Sequence, residues 1–483
     1  MTPDKYIKNY VAGKLAPSNN GAYLETKNPS TKAVYAQYPD TQVQDITYAI
    51  ESGNRACQTW RNLEVEKRYR LLMRLADIIE QENKVFAKAE STDTGKPYAM
   101  ALSQDIPQAY SCLRFYATSL PHYAEQSFYQ PTAAVHYTIR QPLGLVACFS
   151  HWSFPLLSLV QTVVPALTAG NCVIALTDGR APMTAYLLAK SCIAAGIPPG
   201  VINILHGNTP DLASALFESP VVKATAYAGD ADLGRQLIQK FSDPFRRSGF
   251  LLGAKNVSIV FSDCNFHKMI VETLRSCFSN NGQHPYSTSR ILVERPIYDK
   301  FKEELVKRTQ FLKVGDTMST VTDLGAIISQ ERLERLLGYI ALAETEEAVV
   351  LCGGKSIEKN GEEGQGYFFR PAIIEGLAAS SRLNQEDMYG PIVTIQSFDT
   401  DDEAIQLANA TQLGRAASLW TQNAARANRV AQRIDASLIW INGWMLNEDR
   451  VSFVPFGKTG TLPLGGMATL QFFTQEKIIG QPL

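Results

Sequence analysis

An α/β fold built on doubly wound, largely parallel sheets is the class this sequence predicts, and three observations predict it. Short apolar runs bounded by Gly, Pro or Asp recur down the chain, and amphipathic helical stretches fall between them. The length of 483 residues and the 45% hydrophobic composition supply a core large enough for two or three domains. No tandem repeat or low-complexity block interrupts the pattern.

From Asp45 to Glu90, the residues Ile50, Ala56, Trp60, Leu71, Leu72, Leu75, Ala76 and Ile79 recur at helical spacing between charged side chains, which predicts a helical layer. The run from Pro142 through Leu145 to Phe149 reads as a buried strand, Val173–Leu176 as another, and a helix ending at Gly170-Asn171 joins them into a βαβ unit. Further strands are expected at Val201–Leu205, Ala224–Tyr227 and Val257–Phe261. Ala134–Arg140 alternates faces outside the βαβ rhythm, as does the tail around Phe472-Phe473-Thr474, so the two are expected to form a protruding arm. Lys359–Gly366, polar and rich in glycine, reads as a surface loop.

Lys plus Arg (46) nearly cancels Asp plus Glu (47), so no global field draws the chain to nucleic acid or to an anionic membrane. Apolar patches such as Leu143–Phe149 are too short to span a bilayer. The start, Met1-Thr2-Pro3-Asp4-Lys5-Tyr6, lacks the basic and apolar regions of a secretory signal. Eight scattered cysteines show no C-x-x-C spacing, which predicts a reducing, cytoplasmic setting and no metal site.

A series of short motifs runs along the chain: Asn28-Pro29, Asp93-Thr94-Gly95-Lys96, Pro165-Ala166-Leu167 with Gly170-Asn171, and Gly196-Ile197-Pro198-Pro199-Gly200. It continues with Gly282-Gln283, Gly390-Pro391, Ala408-Asn409 before Leu413-Gly414, Asn442, and Pro455-Phe456-Gly457. In that order and spacing the chain resembles the aldehyde dehydrogenase superfamily from end to end. The resemblance implies a Rossmann-type nucleotide-binding domain of residues 1–122 and 142–251 and a catalytic-type domain of 252–445. It also implies a β-arm of 123–141 and 466–483 that completes a neighbouring subunit's sheet in homodimers or homotetramers.

The same resemblance exposes what is missing. Family chemistry needs a thiolate to attack the aldehyde, a carboxylate base to activate water and an amide to bind the oxyanion. In Gly282-Gln283-His284-Pro285-Tyr286-Ser287-Thr288-Ser289-Arg290 the glycine, glutamine and arginine stand in family register, and Pro285 holds the cysteine's place. A prolyl ring offers no nucleophile and no backbone N–H. Leu251 opens the Leu-Leu-Gly-Ala-Lys segment where the base belongs, and Ser153 follows Trp152 where the oxyanion amide belongs.

The dinucleotide contacts are altered too. Leu176 and Gly179 stand where a lysine and a glutamate hold the adenosine ribose, and Asp230 after Gly229 puts a carboxylate where a hydroxyl meets the pyrophosphate. Asp387 and Tyr389 replace the glutamate and phenylalanine of the nicotinamide-ribose segment, which otherwise looks nearly intact. The resemblance with these replacements predicts a catalytically inactive family member, without tight NAD or NADP binding, that serves a binding, scaffolding or regulatory role, alone or with an active paralogue.

Two alternatives stay open. One is a repurposed pocket using His284, His151 or Ser287, with Asp230 and Cys148 expected in the same cleft. The other is residual dehydrogenase chemistry through a displaced thiol at Cys148 or Cys277. The bland reading of the two histidines is drift, with both imidazoles satisfied by nearby carbonyls.

Overall fold

The computed structural model describes residues 5–122, 124–207, 210–240, 245–357, 366–446 and 448–483. The loop expected from Lys359 lies outside them up to Gln365, as do Asn208-Thr209 and the first four residues. Two seven-stranded sheets carry the molecule. The first runs in the order Arg247–Leu251, Val222–Ala228, Leu145–Phe149, Cys172–Thr177, Ile202–His206, Asn9–Val11 and Lys14–Ala16. Its five longer strands are parallel, in registers such as Cys148 opposite Ala175, and the short N-terminal pair closes the edge antiparallel. Leu145–Phe149, Cys172–Thr177 and Ile202–His206 are buried on both faces, as their largely apolar runs require.

Helices Val43–Trp60, Val65–Gln81 and Asn83–Thr94 form the layer expected from the apolar spacing, and the largely apolar helix Pro155–Thr168 makes the βαβ crossover. The second sheet runs in the order Val349–Cys352, Ala372–Glu375, Ile392–Phe398, Thr288–Glu294, Asn256–Val260, Ala416–Trp420 and Leu438–Ile441. All its pairings are parallel except the first.

A three-stranded antiparallel sheet of Ser127–Gln130, Ala134–Pro142 and Thr474–Pro482 stands apart from both. The tail differs from expectation: Gly466–Phe472 is a helix, and the strand begins only at Thr474. Phe473 is fully buried, and its carbonyl accepts a 2.9 Å bond from Asn171 Nδ2, so the aromatic pair anchors the arm rather than extending it. No described helix is long and apolar enough to cross a membrane.

The chain passes from one sheet to the other through a four-residue link, Leu252 to Lys255, between the strand ending at Leu251 and the strand starting at Asn256. Residues at the ends of the first sheet's strands (His151, Asp230, Leu251) therefore meet those preceding the second sheet's strands (Pro285, Tyr389, Arg415) around one cavity. Crevices of this kind at carboxyl strand ends are where α/β sheets bind ligands.

Candidate active-site cleft

The turn before the strand Thr288–Glu294 is built from residues that tolerate unusual backbone. After the helix Phe266–Phe278, Asn280, Asn281 and Gly282 take φ of 50°, 56° and 64° in succession, a region that asparagine visits and glycine prefers. A Cβ on Gly282 would lie 2.4 Å from the carbonyl oxygen of Gly390, so the Gly282-Gln283 and Gly390-Pro391 motifs are two halves of one contact. Asn280 Nδ2 donates to the Gln283 carbonyl at 2.8 Å, and Asn281 Nδ2 to that of Ala326 at 2.6 Å. Gln283 Oε1 accepts from Ile328 N at 3.0 Å.

Beyond the apex, Asn256 Nδ2 donates to the carbonyls of Pro285 (3.0 Å) and Ser287 (2.9 Å), and Trp444 Nε1 to that of Tyr286 (2.9 Å). Arg290 closes the segment on the carbonyls of Leu407 and Ala408. Pro285 thus sits at the tip of a loop fastened from several sides.

Pro285, Leu251 and Ser153 all line one cavity of about 560 Å³, joined by His151, His284, Asp230, Asp387 and Tyr389. Three of the residues weighed for other chemistry fall outside its lining: Cys148, Cys277 and Ser287. Both thiols are buried, which pushes each up to about 12, so neither is a thiolate near neutral pH. The Ser287 hydroxyl is buried without a partner.

The imidazoles are not satisfied by carbonyls. His284 Nδ1 accepts from Tyr286 N at 3.0 Å, and His151 Nδ1 meets Ser153 N and, at 2.8 Å, Ser153 Oγ. Burial, helped by nearby arginine and lysine cations, drives both histidines down to about 3, so both are neutral. Ser153 Oγ also bonds the Tyr389 hydroxyl at 2.8 Å, giving a continuous Tyr389, Ser153, His151 chain. No group of three or more His, Cys, Asp or Glu is placed to hold a metal ion among the described residues.

With this geometry in view, comparison with known proteins gives a family. A model described as "Aldehyde dehydrogenase family" matches residues 16–479. The chain belongs to the aldehyde dehydrogenase family. It is 34% identical to a 2-aminomuconic semialdehyde dehydrogenase of Bos taurus, over 98% of this chain and 97% of that one. A 2-hydroxymuconic semialdehyde dehydrogenase of Pseudomonas sp. (strain CF600) is 35% identical, over 98% and 99%. Among solved structures, the NAD+ complex of a Bacillus cereus aldehyde dehydrogenase superposes with a TM-score of 0.96 at 27% identity, covering 100% and 98% of the two chains. A NAD-dependent aldehyde dehydrogenase from Sinorhizobium meliloti gives 0.95 at 26%, again over 100% and 98%.

Several positions that the sequence marks as dinucleotide contacts pack against the protein's own groups. Leu176 is buried within its strand, and a Cβ on Gly179 would lie 2.5 Å from the Tyr38 hydroxyl. Neither residue lines the cavity, nor does Trp152, which packs against Ala181, Ile328 and Tyr389. Arg180 turns back on Asp178 through Nε (2.9 Å) and Nη2 (2.6 Å).

Asp230 caps the helix Ala231–Lys240: its Oδ1 accepts from the N–H groups of Asp232 (2.9 Å) and Leu233 (3.2 Å). The helix terminus that could hold a phosphate already holds a carboxylate. Asp387 is likewise engaged, with Oδ2 accepting from Ala254 N at 2.7 Å and Oδ1 from Tyr389 N at 3.1 Å. The Asp387 carboxylate of the nicotinamide-ribose segment thus faces the cavity with one backbone N–H already on each oxygen.

Sequence reasoning missed the arginines. Arg415 and Arg332 both line the cavity, and Arg332 also lies 6.0 Å over the Trp152 ring. The position of Arg415, directly after the Leu413-Gly414 motif, was the available signal. Also missed was a buried triad: Lys96 Nζ donates to Glu90 (2.9 Å) and Asp105 (2.6 Å) and lies 4.0 Å from the ring of Phe154 in the cavity wall. Asp93-Thr94-Gly95-Lys96 is in this respect a packing motif for the cleft.

Proposed function

We propose that this chain has lost aldehyde oxidation and persists as a binding, scaffolding or regulatory subunit. Pro285 at the apex of the nucleophile turn is the observation that carries the reading, because a residue without a nucleophile removes the covalent route altogether. Leu251 carries no proton. Ser153 is committed to Tyr389 and His151, and losing an oxyanion donor alone costs about 10²–10³ in rate.

The residues present do not fit a tightly held NAD or NADP. Tyr38 against Gly179, the Asp230 cap and the engaged Asp387 each support this part of the reading. Oligomerisation through the arm is supported by its exposed Phe128, Tyr129 and Ile478, apolar side chains on a small sheet that suit a second copy of the chain or an active paralogue. Eight free cysteines, seven of them buried, accord with a reducing cytoplasmic setting.

The test is to incubate the purified protein with a panel of aliphatic and aromatic aldehydes and either nicotinamide cofactor. No absorbance of reduced nicotinamide above the buffer rate is expected, and sustained reduction overturns the reading.

The contact of Ser153 with His151 supports a second reading, a repurposed serine site. It ranks lower because an imidazole held near 3 is a weak base at neutral pH. A fluorophosphonate probe separates the two: no adduct is expected, and an adduct on Ser153 that His151→Asn abolishes would favour the second.

A further inference from the structure

The cavity holds a cation that the lost chemistry does not use. Arg415 is only 5% exposed, its Nη2 donates to the Leu252 carbonyl at 2.7 Å, and its Nε has no acceptor. Among the other charged groups of the lining, Arg235 pairs with Asp232, Arg382 with Glu386 and Arg335 bonds the Tyr339 hydroxyl, Asp230 and Asp387 accept from backbone N–H groups, and Arg332, over the Trp152 ring, and Lys458 add further cations to the same cavity. Asp387 shares the electric field of Arg415 but spends both oxygens on Ala254 and Tyr389. Among the described residues Arg415 forms no ion pair.

A buried guanidinium without a counter-charge is costly to maintain, and its planar fork pairs bidentately with a carboxylate or a phosphate, of which only an organic acid also brings an apolar body. The wall near it supplies a surface for a carbon skeleton, since Leu251, Leu252, Leu413 and Leu464 are apolar and Pro285 offers no donor. A cavity of this volume suits a small metabolite. We propose that the cleft binds a small organic carboxylate, its acid group on Arg415 and its apolar body along the leucine wall. The proposal rests on the reading that Leu251 has taken the place of the catalytic base. A carboxylate at that place would repel an acid, and leucine does not.

The experiment is calorimetric titration of the intact protein with hexanoate and benzoate, with hexanamide and benzamide as neutral counterparts and inorganic phosphate as the non-organic anion. The acids are expected to bind at least tenfold more tightly than the amides, and phosphate to bind more weakly than either acid. In Arg415→Leu the acid preference disappears while the ligand-free protein melts no lower than wild type, because an unpaired buried charge has been removed.

Equal binding of acids and amides overturns the proposal, as does acid binding that survives Arg415→Leu, or phosphate that binds as tightly as hexanoate. If Arg415→Leu fails to fold, the wild-type comparison of acid with amide decides. The aldehyde assay run in parallel keeps the two readings apart. Missing acid preference without cofactor reduction overturns this inference alone, whereas cofactor reduction overturns the loss of catalysis whatever the acids do.

Discussion

On the proposed reading, the nucleophile turn and the dinucleotide cleft depart from the family pattern in opposite ways. The turn keeps its frame, with the asparagines and Gly282 in left-handed backbone and hydrogen bonds from Asn256 and Trp444, and lacks only a reactive side chain at its tip. The cleft keeps its strands and a cavity, but Asp230 and Asp387 in its lining accept hydrogen bonds from backbone N–H groups, and Tyr38 packs against Gly179. A frame with a missing atom can be restored by one substitution. A cleft altered at several side chains needs several, so on the proposed reading the cofactor side is the harder one to restore.

The largest expected effect comes from breaking the frame. Gly282→Ala forces a Cβ into the Gly390 carbonyl at a positive φ and is expected to destabilise the fold by about 3 kcal/mol or more, read from chemical denaturation. Gly179→Ala is the matched change in the cleft. Its Cβ meets only the far end of the Tyr38 side chain, which can swing aside, so a cost of about 1 kcal/mol is expected. Equal costs would remove the distinction between a rigid frame and a deformable cleft contact.

Much of this was legible in the sequence. The βαβ run from Leu145 to Leu176 announces itself through continuous apolar strands, and Pro285, Leu251 and Ser153, well separated along the chain, were brought to one cavity by motif order alone. The second sheet's later strands were harder to see. Phe472-Phe473 misled because an aromatic pair at a helix end and one in a strand look alike over three residues; only the burial of Phe473 distinguishes them. Arg415 escaped because its place after the Leu413-Gly414 motif marks a position near the cleft but not a buried cation. Its significance lies in partners that are absent, which only three-dimensional packing reveals.

Acid sensitivity sharpens the comparison next. Burial holds His284 in the turn at about 3 and His206, in the sheet beneath the cleft, at about 4, against about 6.5 in an unfolded chain. Below pH 6.5 the unfolded state binds protons that the folded state refuses. Stability from each neutral imidazole is therefore complete above 6.5 and drains as pH falls, by up to about 1.4 kcal/mol per pH unit. Glu90, raised to about 7 by its own burial, works in the opposite sense between about pH 4.5 and 7. The readout is therefore the difference between wild type and His284→Asn or His206→Asn, each of which should flatten the fall between pH 6 and 4.5, figures set by the unfolded histidine range of about 6.5. If His284→Asn leaves the slope unchanged, the turn is more open to water than its hydrogen bonds indicate.

The smallest effect on stability belongs to Pro285→Cys. Asn256 bonds only the carbonyl of this residue, so the substitution disturbs no donor, and the loss of proline's restraint on the unfolded chain is worth about 0.4–1 kcal/mol. Its chemical effect is specific. The native cysteines are buried apart from the partly exposed Cys264, whereas a thiol at 285 would face the cavity, so iodoacetamide treatment followed by peptide mass spectrometry should find a new adduct at that position. The same variant, mixed with aldehydes and NAD, should produce no reduced nicotinamide, since Leu251 and the altered cleft remain. A thiol that resists alkylation would mean that the frame is not preserved. Turnover by this single variant would mean that the cleft admits its cofactor after all, and that one imino acid was the whole of the loss.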